Sequence, residues 1–244
     1  MSRETSSGTH SQRALIALRK RILAGTFPGG TRLLEVALAE DLAISRTPVR
    51  AALSRLAEEG LLDRAGGGFV VRSFAISDVV ETIELRGVLE GTAARFAAEK
   101  GVSAETLEAF ATVIASIDAC LADGPERTDL EVYSRLNTAF HAQLAQASQS
   151  GVIQREIDRV SRLPFAAPSS FLADHLQVDS FRKTLVPAQE QHRALVDAIR
   201  RREGARAESI AREHARAARH NVEFLFAAEP EMRQRLPGLA LVAD

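Results

Sequence analysis

Two groups of side chains in this sequence have types and spacings suited to binding. The first lies in "ISRTPVRAALSRLAEEGLL", residues 44–62, where Arg46, Thr47 and Arg50 share one face of a predicted helix. The opposite face is apolar, and an arginine can form two parallel hydrogen bonds to guanine or a charge-assisted pair to phosphate. A solvated helix face would also accept these residues, so the neighbouring elements must decide between the two interpretations.

The elements around this helix predict a winged helix-turn-helix in residues 11–74. Apolar periodicity predicts three short helices, at 11–24, 33–42 and 46–59. Ser45 is a suitable N-cap for the third helix, and Gly60 is a suitable residue to end it. The following "LLDRAGGGFVVR" predicts a β-hairpin with glycines 66–68 at its tip. Long donors in the first turn of the third helix suit a recognition helix that enters the major groove by its amino terminus.

The second group consists of Asn137, His141, His192 and His214. Asn137 and His141 are one turn apart on one helix face. His192 and His214 each lie 11 residues from Glu203, where a break between two helices is predicted, so antiparallel helices would place them level. Three imidazoles with an adjacent oxygen donor suit a divalent transition metal, zinc or nickel. The spacing does not place the helix of His141 beside the others, and ordinary helical histidines remain the alternative.

The rest of the chain predicts a mainly α protein in which the winged head precedes an all-α bundle of six or seven helices, residues 75–228. Helical periodicity covers 78–100, 103–122, 128–148, 150–162, 178–202 and 205–228. The stretch "LPFAAPSS", with Pro164 and Pro168, predicts a kinked or broken connection. Residues 1–10 are expected to be a flexible tail, and residues 229–244 a C-terminal tail.

Composition restricts the class of protein and the kind of partner. Hydrophobic residues make up 45% of the 244, and the single cysteine argues against a disulfide framework or a multi-cysteine zinc site. Without a long apolar run, we expect a cytoplasmic protein with no membrane partner. The net charge of −1 hides an asymmetry, since residues 1–72 carry +4 and residues 73–244 carry −5. That asymmetry suggests two modules with different partners.

The head also resembles a known family. Residues 11–72, with "PGGTRLLEVALAEDLAISRTPVRAALSRLAEEGLL" and then "GGGFVVR", resemble the DNA-binding domain of GntR-family transcriptional regulators. The resemblance implies that Arg46, Thr47 and Arg50 contact the operator and that Gly67 approaches the minor groove. Some members use an arginine on the second helix. That position is Val36 here, and Arg32 is the candidate to substitute for it.

The body resembles the FCD domain, the helical effector domain of FadR-type GntR regulators. The residues that carry this resemblance are "ELRGVLEGTAARFAAE", "LNTAFHAQLAQAS", "QHRALVDAIRRREGARAE" and "IAREHARAARH". It implies a metal held at the positions of Asn137, His141, His192 and His214, although aspartate is common at the first of these. It also implies that Arg86 binds an effector carboxylate, the alternative being a surface salt bridge with Glu90. His175 and His220 fall outside the pattern.

These observations predict a DNA-binding transcriptional regulator, with repression as the expected mode, and not an enzyme. The expected partners are a second copy of the chain, a near-palindromic double-stranded DNA operator and a small carboxylic acid. A metal-dependent hydrolase is the first alternative, but the sequence has no HExxH or Gly-x-Ser-x-Gly motif. A helical body that serves only for dimerisation is the second. It stays open because Asn137 is neutral where an aspartate is common.

Overall fold

A computed structural model describes residues 3–163, 166, 179–227 and 241–243 of the chain. They belong to two compact units: Met1–Asp78 with Glu229–Asp244, called the head below, and Val79–Ala228, called the body. Sequence patterns placed the boundary between these units after residue 74. Within the described ranges, no helix combines the length and the apolar character that crossing a bilayer requires.

Three helices form the first part of the head. They are α1 (Arg3–Leu23), α2 (Glu35–Asp41) and α3 (Arg46–Glu58). Their apolar stripes are buried against one another, with Leu18, Ile22, Leu38, Val49, Leu53 and Leu56 in the core. Ser45 occupies the N-cap of α3 in an extended conformation, and Gly60 follows the C-cap with φ +80°. Glycine is favoured there because a Cβ atom penalises this left-handed conformation.

Helix α1 begins at Arg3, whereas the sequence predicted its start at Ser11 after a flexible tail. Residues 3–10 contain no proline. Adding residues to an existing helix is also far easier than nucleating a new one. The helix therefore extends toward the amino terminus.

A three-stranded antiparallel sheet forms the wing. Strands β2 (Leu62–Ala65) and β3 (Gly68–Val71) make the predicted hairpin, and β1 (Arg32–Leu33) pairs with the other edge of β3. The turn residues Gly66 and Gly67 have φ of +55° and +74°, and type I′ hairpin turns need positive φ at both positions. Strand β1 was missed by sequence reasoning. Because Leu33 pairs with Phe69 in the sheet, α2 begins at Glu35 instead of the predicted Leu33.

A second, smaller sheet involves the end of the chain. Strand β4 (Phe74–Ala75) pairs in parallel with β5 (Val242–Ala243). Strand β5 lies in the segment that the sequence predicted as a C-terminal tail, and the adjacent Leu241 is buried. A two-residue strand leaves no readable alternation, so its pairing could not be predicted from the sequence.

The described part of the body contains six α-helices and no strand. The helices are α4 (Ile76–Lys100), which begins at the end of the head, α5 (Ala104–Leu121), α6 (Leu130–Ala147), α7 (Gly151–Val160), α8 (Asp179–Arg200) and α9 (Gly204–Ala227). A 3-10 turn, Pro125–Arg127, precedes α6. The predicted break at Pro164 and Pro168 lies outside the described residues, as does His175.

Capping residues and an aromatic core fix these helices. Side chains of Ser103, Asp129 and Ser150 accept hydrogen bonds from backbone N–H groups at the starts of α5, α6 and α7. The main core contains Phe110, Ile117, Tyr133, Phe140, Leu195 and Ile199. Helices α8 and α9 pack against each other after the predicted reversal, where Arg202 has φ +63°. This architecture confirms the predicted fold class.

Candidate functional site

The recognition face of α3 is exposed. The side chains of Arg46 and Arg50 are 66% and 67% exposed, and Thr47 beside them is also exposed. Both arginines lie near Glu35 at the start of α2, at N–O distances of 3.6 Å from Arg46 and 3.5 Å from Arg50. The structure therefore brings the three predicted contact residues onto one accessible surface, and Glu35 holds two of their guanidinium groups near each other.

The wing carries the other two predicted contact residues of the head. Arg32 lies in β1, and its Nη2 atom donates a hydrogen bond of 2.8 Å to the carbonyl oxygen of Gly66. It therefore lies in the wing, whereas Val36 lies on α2 and is 49% exposed. A Cβ atom built on Gly67 would meet no atom within 4 Å. The hairpin tip is thus narrow and open, with a guanidinium group beside it.

The body brings three predicted histidines together. His141 on α6, His192 on α8 and His214 on α9 present ring nitrogens that all lie within 4.8 Å of one another. Ring centroids are 5.7 Å apart for His141 and His192, 5.2 Å for His141 and His214, and 4.6 Å for His192 and His214. Asn137 is buried on α6 one turn before His141. The packing of α6 against α8 and α9, which spacing alone did not reveal, completes the cluster.

Each histidine ring is held through its Nδ1 atom. The acceptors or partners are Glu90 Oε1 at 3.0 Å for His141, Gln189 Oε1 at 3.0 Å for His192 and Gln191 Oε1 at 2.9 Å for His214. The Nε2 atoms of His141 and His192 are buried and form no hydrogen bond within the described part of the chain. Metal-bound histidines in proteins almost always donate their second ring N–H to such a partner. The Nδ1 contacts therefore leave Nε2 as the ring nitrogen available to a metal in this cluster.

Burial keeps two rings of the cluster, those of His192 and His214, neutral near pH 7. Burial, together with His214 and His141, lowers the pKa of His192 well below its ordinary value of 6.5. Burial also lowers the pKa of the partly buried His214 to about 3, with His141 adding to the shift and Glu90 opposing it. For Glu90, burial alone would raise the carboxyl pKa, but His141 and Arg86 together lower it to about 2. Neutral imidazole is the form that binds metal.

Arg86 lies inside the body beside this cluster. Its side chain is 2% exposed, and its Nη1 atom lies 3.5 Å from Oε1 of Glu90, whose side chain is 1% exposed. The pair is therefore buried, and the alternative of a surface salt bridge is wrong. Neither Nε nor Nη1 of Arg86 donates a hydrogen bond to a group in the described residues. Buried guanidinium N–H groups nearly always have an acceptor, so these two donors make Arg86 a candidate binding residue.

Comparison with known proteins identifies the family. The sequence model of the FCD domain family matches residues 81–217, more than half of the chain. The sequence model of the bacterial regulatory proteins of the gntR family matches residues 10–71. The chain belongs to the GntR family. It is a DNA-binding transcriptional regulator with an FCD domain, and its relatives are regulators and not enzymes.

Individual relatives agree with this assignment. A probable D-xylose utilization operon transcriptional repressor of Paenarthrobacter nicotinovorans is 30% identical over 184 residues, 73% of each chain. The galactonate operon transcriptional repressor of Escherichia coli K12 is 26% identical, over 82% of this chain and 91% of the relative. Among solved structures, E. coli McbR/YncC superimposes with a TM-score of 0.65 at 19% identity, over 89% of this chain and 98% of that chain. That structure is evidence for the fold.

The structure of this GntR-family chain also reveals site residues that sequence reasoning missed. Glu90, Gln189 and Gln191 hold the histidine rings. One signal was present, since Gln189 precedes His192 by three residues and such residues share a helix face. A cavity of about 350 Å³ opens beside Glu90 and His141 and is lined by residues of α6 and α7. Its volume lies within the range of small-molecule sites.

Proposed function

We propose that this regulator represses transcription as a homodimer and that a divalent metal and a small carboxylate bound in the body tune its affinity for DNA. The observation that carries this proposal is a cluster of three buried or partly buried histidines beside a buried arginine, two of whose N–H groups have no hydrogen-bond acceptor among the described residues. Two heads on a dimer would read two half-sites of a near-palindromic operator.

The head reads DNA through α3 and the wing. Arg46 and Arg50 supply bidentate donors to guanine edges or phosphates, and Thr47 adds a hydroxyl group in the same turn. The exposure of these side chains and their position in the first turn of α3 support these roles. At the wing, the open tip at Gly67 admits the backbone to the minor groove, and Arg32 adds a positive charge there.

The body holds the metal through the Nε2 atoms of His141, His192 and His214, with the amide oxygen of Asn137 as the fourth protein ligand. Zinc or nickel suits this donor set of three imidazoles and one oxygen. The residues fit such an ion because the rings of His192 and His214 are neutral, the Nδ1 atoms of all three rings are already engaged, and two Nε2 atoms are buried without a hydrogen bond among the described groups. When bound, the metal supplies a Lewis-acid anchor for a carboxylate oxygen.

The effector is a small carboxylic acid that also contacts Arg86. The buried guanidinium group of Arg86 carries a positive charge that would attract a carboxylate, and the cavity beside Glu90 and His141 has room for the rest of a small molecule. A relative's name supports the class, because galactonate, for which that relative's operon is named, is a sugar acid. Effector binding would alter operator affinity by about 5- to 150-fold, the range that coupling free energies of about 1–3 kcal/mol give.

A mobility-shift titration with the regulator's own promoter fragment tests this proposal. Metal-loaded protein is titrated with and without a panel of small hydroxy and sugar acids. We expect at least one acid to shift the DNA dissociation constant of the native protein, and Arg86→Gln to remove that response.

The matched control for this titration is Arg95→Gln. Arg95 lies on the same helix but pairs with Glu99 and Glu208 near the surface, so the change should leave the response intact. The contrary result has two parts: no acid changes the affinity for the promoter fragment, and the protein binds neither zinc nor nickel. Together these results would show that the body serves only for dimerisation.

A further inference from the structure

Gln189 lies between the proposed metal ligand His192 and helix α5. Its side chain is 1% exposed, and its Oε1 atom lies 3.0 Å from Nδ1 of His192. On the other side, its Nε2 atom donates to the carbonyl oxygen of Ile114 at 3.0 Å and to Oδ1 of Asp118 at 2.5 Å. One amide group therefore joins the ring of His192 on α8 to two oxygens of α5.

The two oxygens on α5 determine which way the amide of Gln189 faces. A backbone carbonyl and an ionised carboxylate can only accept hydrogen bonds, so the NH₂ group of Gln189 must point toward Ile114 and Asp118. Its carbonyl oxygen then faces His192 and can only accept. It follows that the proton of the neutral His192 ring is on Nδ1 and that Nε2 carries the lone pair.

Asp118 in turn forms an ion pair with Arg193 on the solvent-exposed side. Nη2 of Arg193 lies 2.7 Å from Oδ1 of Asp118, and both side chains are substantially exposed. The same Oδ1 atom accepts from Gln189, so the carboxylate is held between one buried donor and one exposed donor. This chain of contacts connects the surface of α5 with a ring in the histidine cluster.

We propose that Gln189 and Asp118 are positioning residues that hold His192 in the Nδ1–H tautomer, with Nε2 presented to the metal. The inference rests on the proposed metal site for its consequence, although the tautomer is set without the metal. His141 has a comparable partner in Glu90, also an acceptor that requires an Nδ1 proton. Without an acceptor at Nδ1, the proton of His192 could move to Nε2 and block the lone pair.

Two measurements on the full-length protein test this role. Nitrogen-15 correlation spectra of the histidine rings report the tautomer in metal-free protein. Competition with a chromophoric zinc chelator reports the zinc dissociation constant. In Gln189→Leu we expect His192 to populate the Nε2–H tautomer and zinc binding to weaken by about 10- to 100-fold, the usual effect of losing such a partner.

Variants of Asp118 provide the graded comparison. Asp118→Asn keeps an oxygen acceptor for Gln189, so its zinc affinity should stay close to that of the native protein. The zinc affinity of Asp118→Ala should lie between those of the native protein and Gln189→Leu. Arg193→Gln is the matched control, since it removes the surface ion pair and leaves the amide contacts in place. It should change neither the tautomer nor the zinc affinity.

The outcomes separate this inference from the proposed metal site. If Gln189→Leu keeps the Nδ1–H tautomer of His192, or binds zinc as tightly as the native protein while only its thermal stability falls, Gln189 is a helix brace and the inference is wrong. If the native protein shows the expected tautomer but binds no zinc, the metal proposal fails while the positioning geometry stands.

Discussion

Acid should destabilise the metal-free protein through the buried histidines, and His214 gives the magnitude. Its pKa is about 3 in the folded protein and 6.5 ordinarily, so the unfolded chain binds the additional proton between these values. The stability contributed by the neutral ring is fully present above pH 6.5 and is lost as the pH falls toward about 3. One pKa unit corresponds to about 1.36 kcal/mol, so a fall to pH 5 costs about 2 kcal/mol from this ring alone.

The two neighbouring groups with a shifted pKa, His192 and Glu90, do not obscure this effect between about pH 7 and pH 5. The pKa of His192 is lowered like that of His214, so His192 adds to the loss of unfolding free energy. The pKa of Glu90 is lowered to about 2 from 4.5, so its stabilisation is lost only as the pH falls below 4.5. The histidines therefore dominate the expected change among the groups whose pKa is lowered in the body.

The assay is urea unfolding of chelator-treated protein at the two pH values. The loss of unfolding free energy between them should be about 2 kcal/mol smaller in His214→Gln than in the native protein. His220→Gln, which changes an exposed histidine on the same helix, should leave that loss unchanged. If the native protein and His214→Gln lose equal stability between the two pH values, the ring of His214 is not held neutral by burial.

Three further changes have defined outcomes. Arg50→Ala should weaken operator binding by about 1–3 kcal/mol in a mobility-shift titration if Arg50 contacts a base, whereas Arg55→Ala, on the same helix but paired with Glu58, should not. Gly67→Val should strain a turn at φ +74° and weaken DNA binding, with about 1–3 kcal/mol lost from wing stability in hydrogen exchange. Zinc at about 100 times its dissociation constant should stabilise the protein by about 2.7 kcal/mol in calorimetry, and this gain should disappear in His192→Ala.

Each of the three outcomes has a contrary result. Equal operator affinity of native protein and Arg50→Ala would remove that side chain from the recognition surface. Unchanged DNA binding by Gly67→Val would show that the wing tip does not approach the groove. An undiminished zinc effect in His192→Ala would place the metal elsewhere.

The helices of both units could be predicted from the sequence because their apolar residues repeat at helical spacing. The ends of α3 and α5–α9 lie within two or three residues of the predicted ones, and Ser45 and Gly60 mark the limits of α3. Strands β1 and β5 could not be predicted, since two residues show no periodicity and pair with residues distant in the chain. Helix α1 extends to Arg3 because no proline or glycine pair stops it there.

The candidate site was predictable in part. The sequence shows the turn between α8 and α9, and His192 and His214 lie equally far from it. Their side-by-side position on the two helices could therefore be predicted, and the structure places both in one cluster. Its third histidine, His141, depends on how α6 packs against that hairpin, which no local pattern encodes. The partners of the rings depend on packing too, because Glu90 lies 51 residues from His141 in the chain. Burial of Arg86, contrary to the surface alternative, is likewise a consequence of helix packing.

Anomalous diffraction from crystals of protein purified without chelator tests the central claim most directly. Data collected on both sides of the zinc or nickel absorption edge should give one strong peak in each body, within about 2.0–2.1 Å of a nitrogen of His141, His192 and His214. A peak at any other position, or no peak from protein that was offered both metals, would contradict the account.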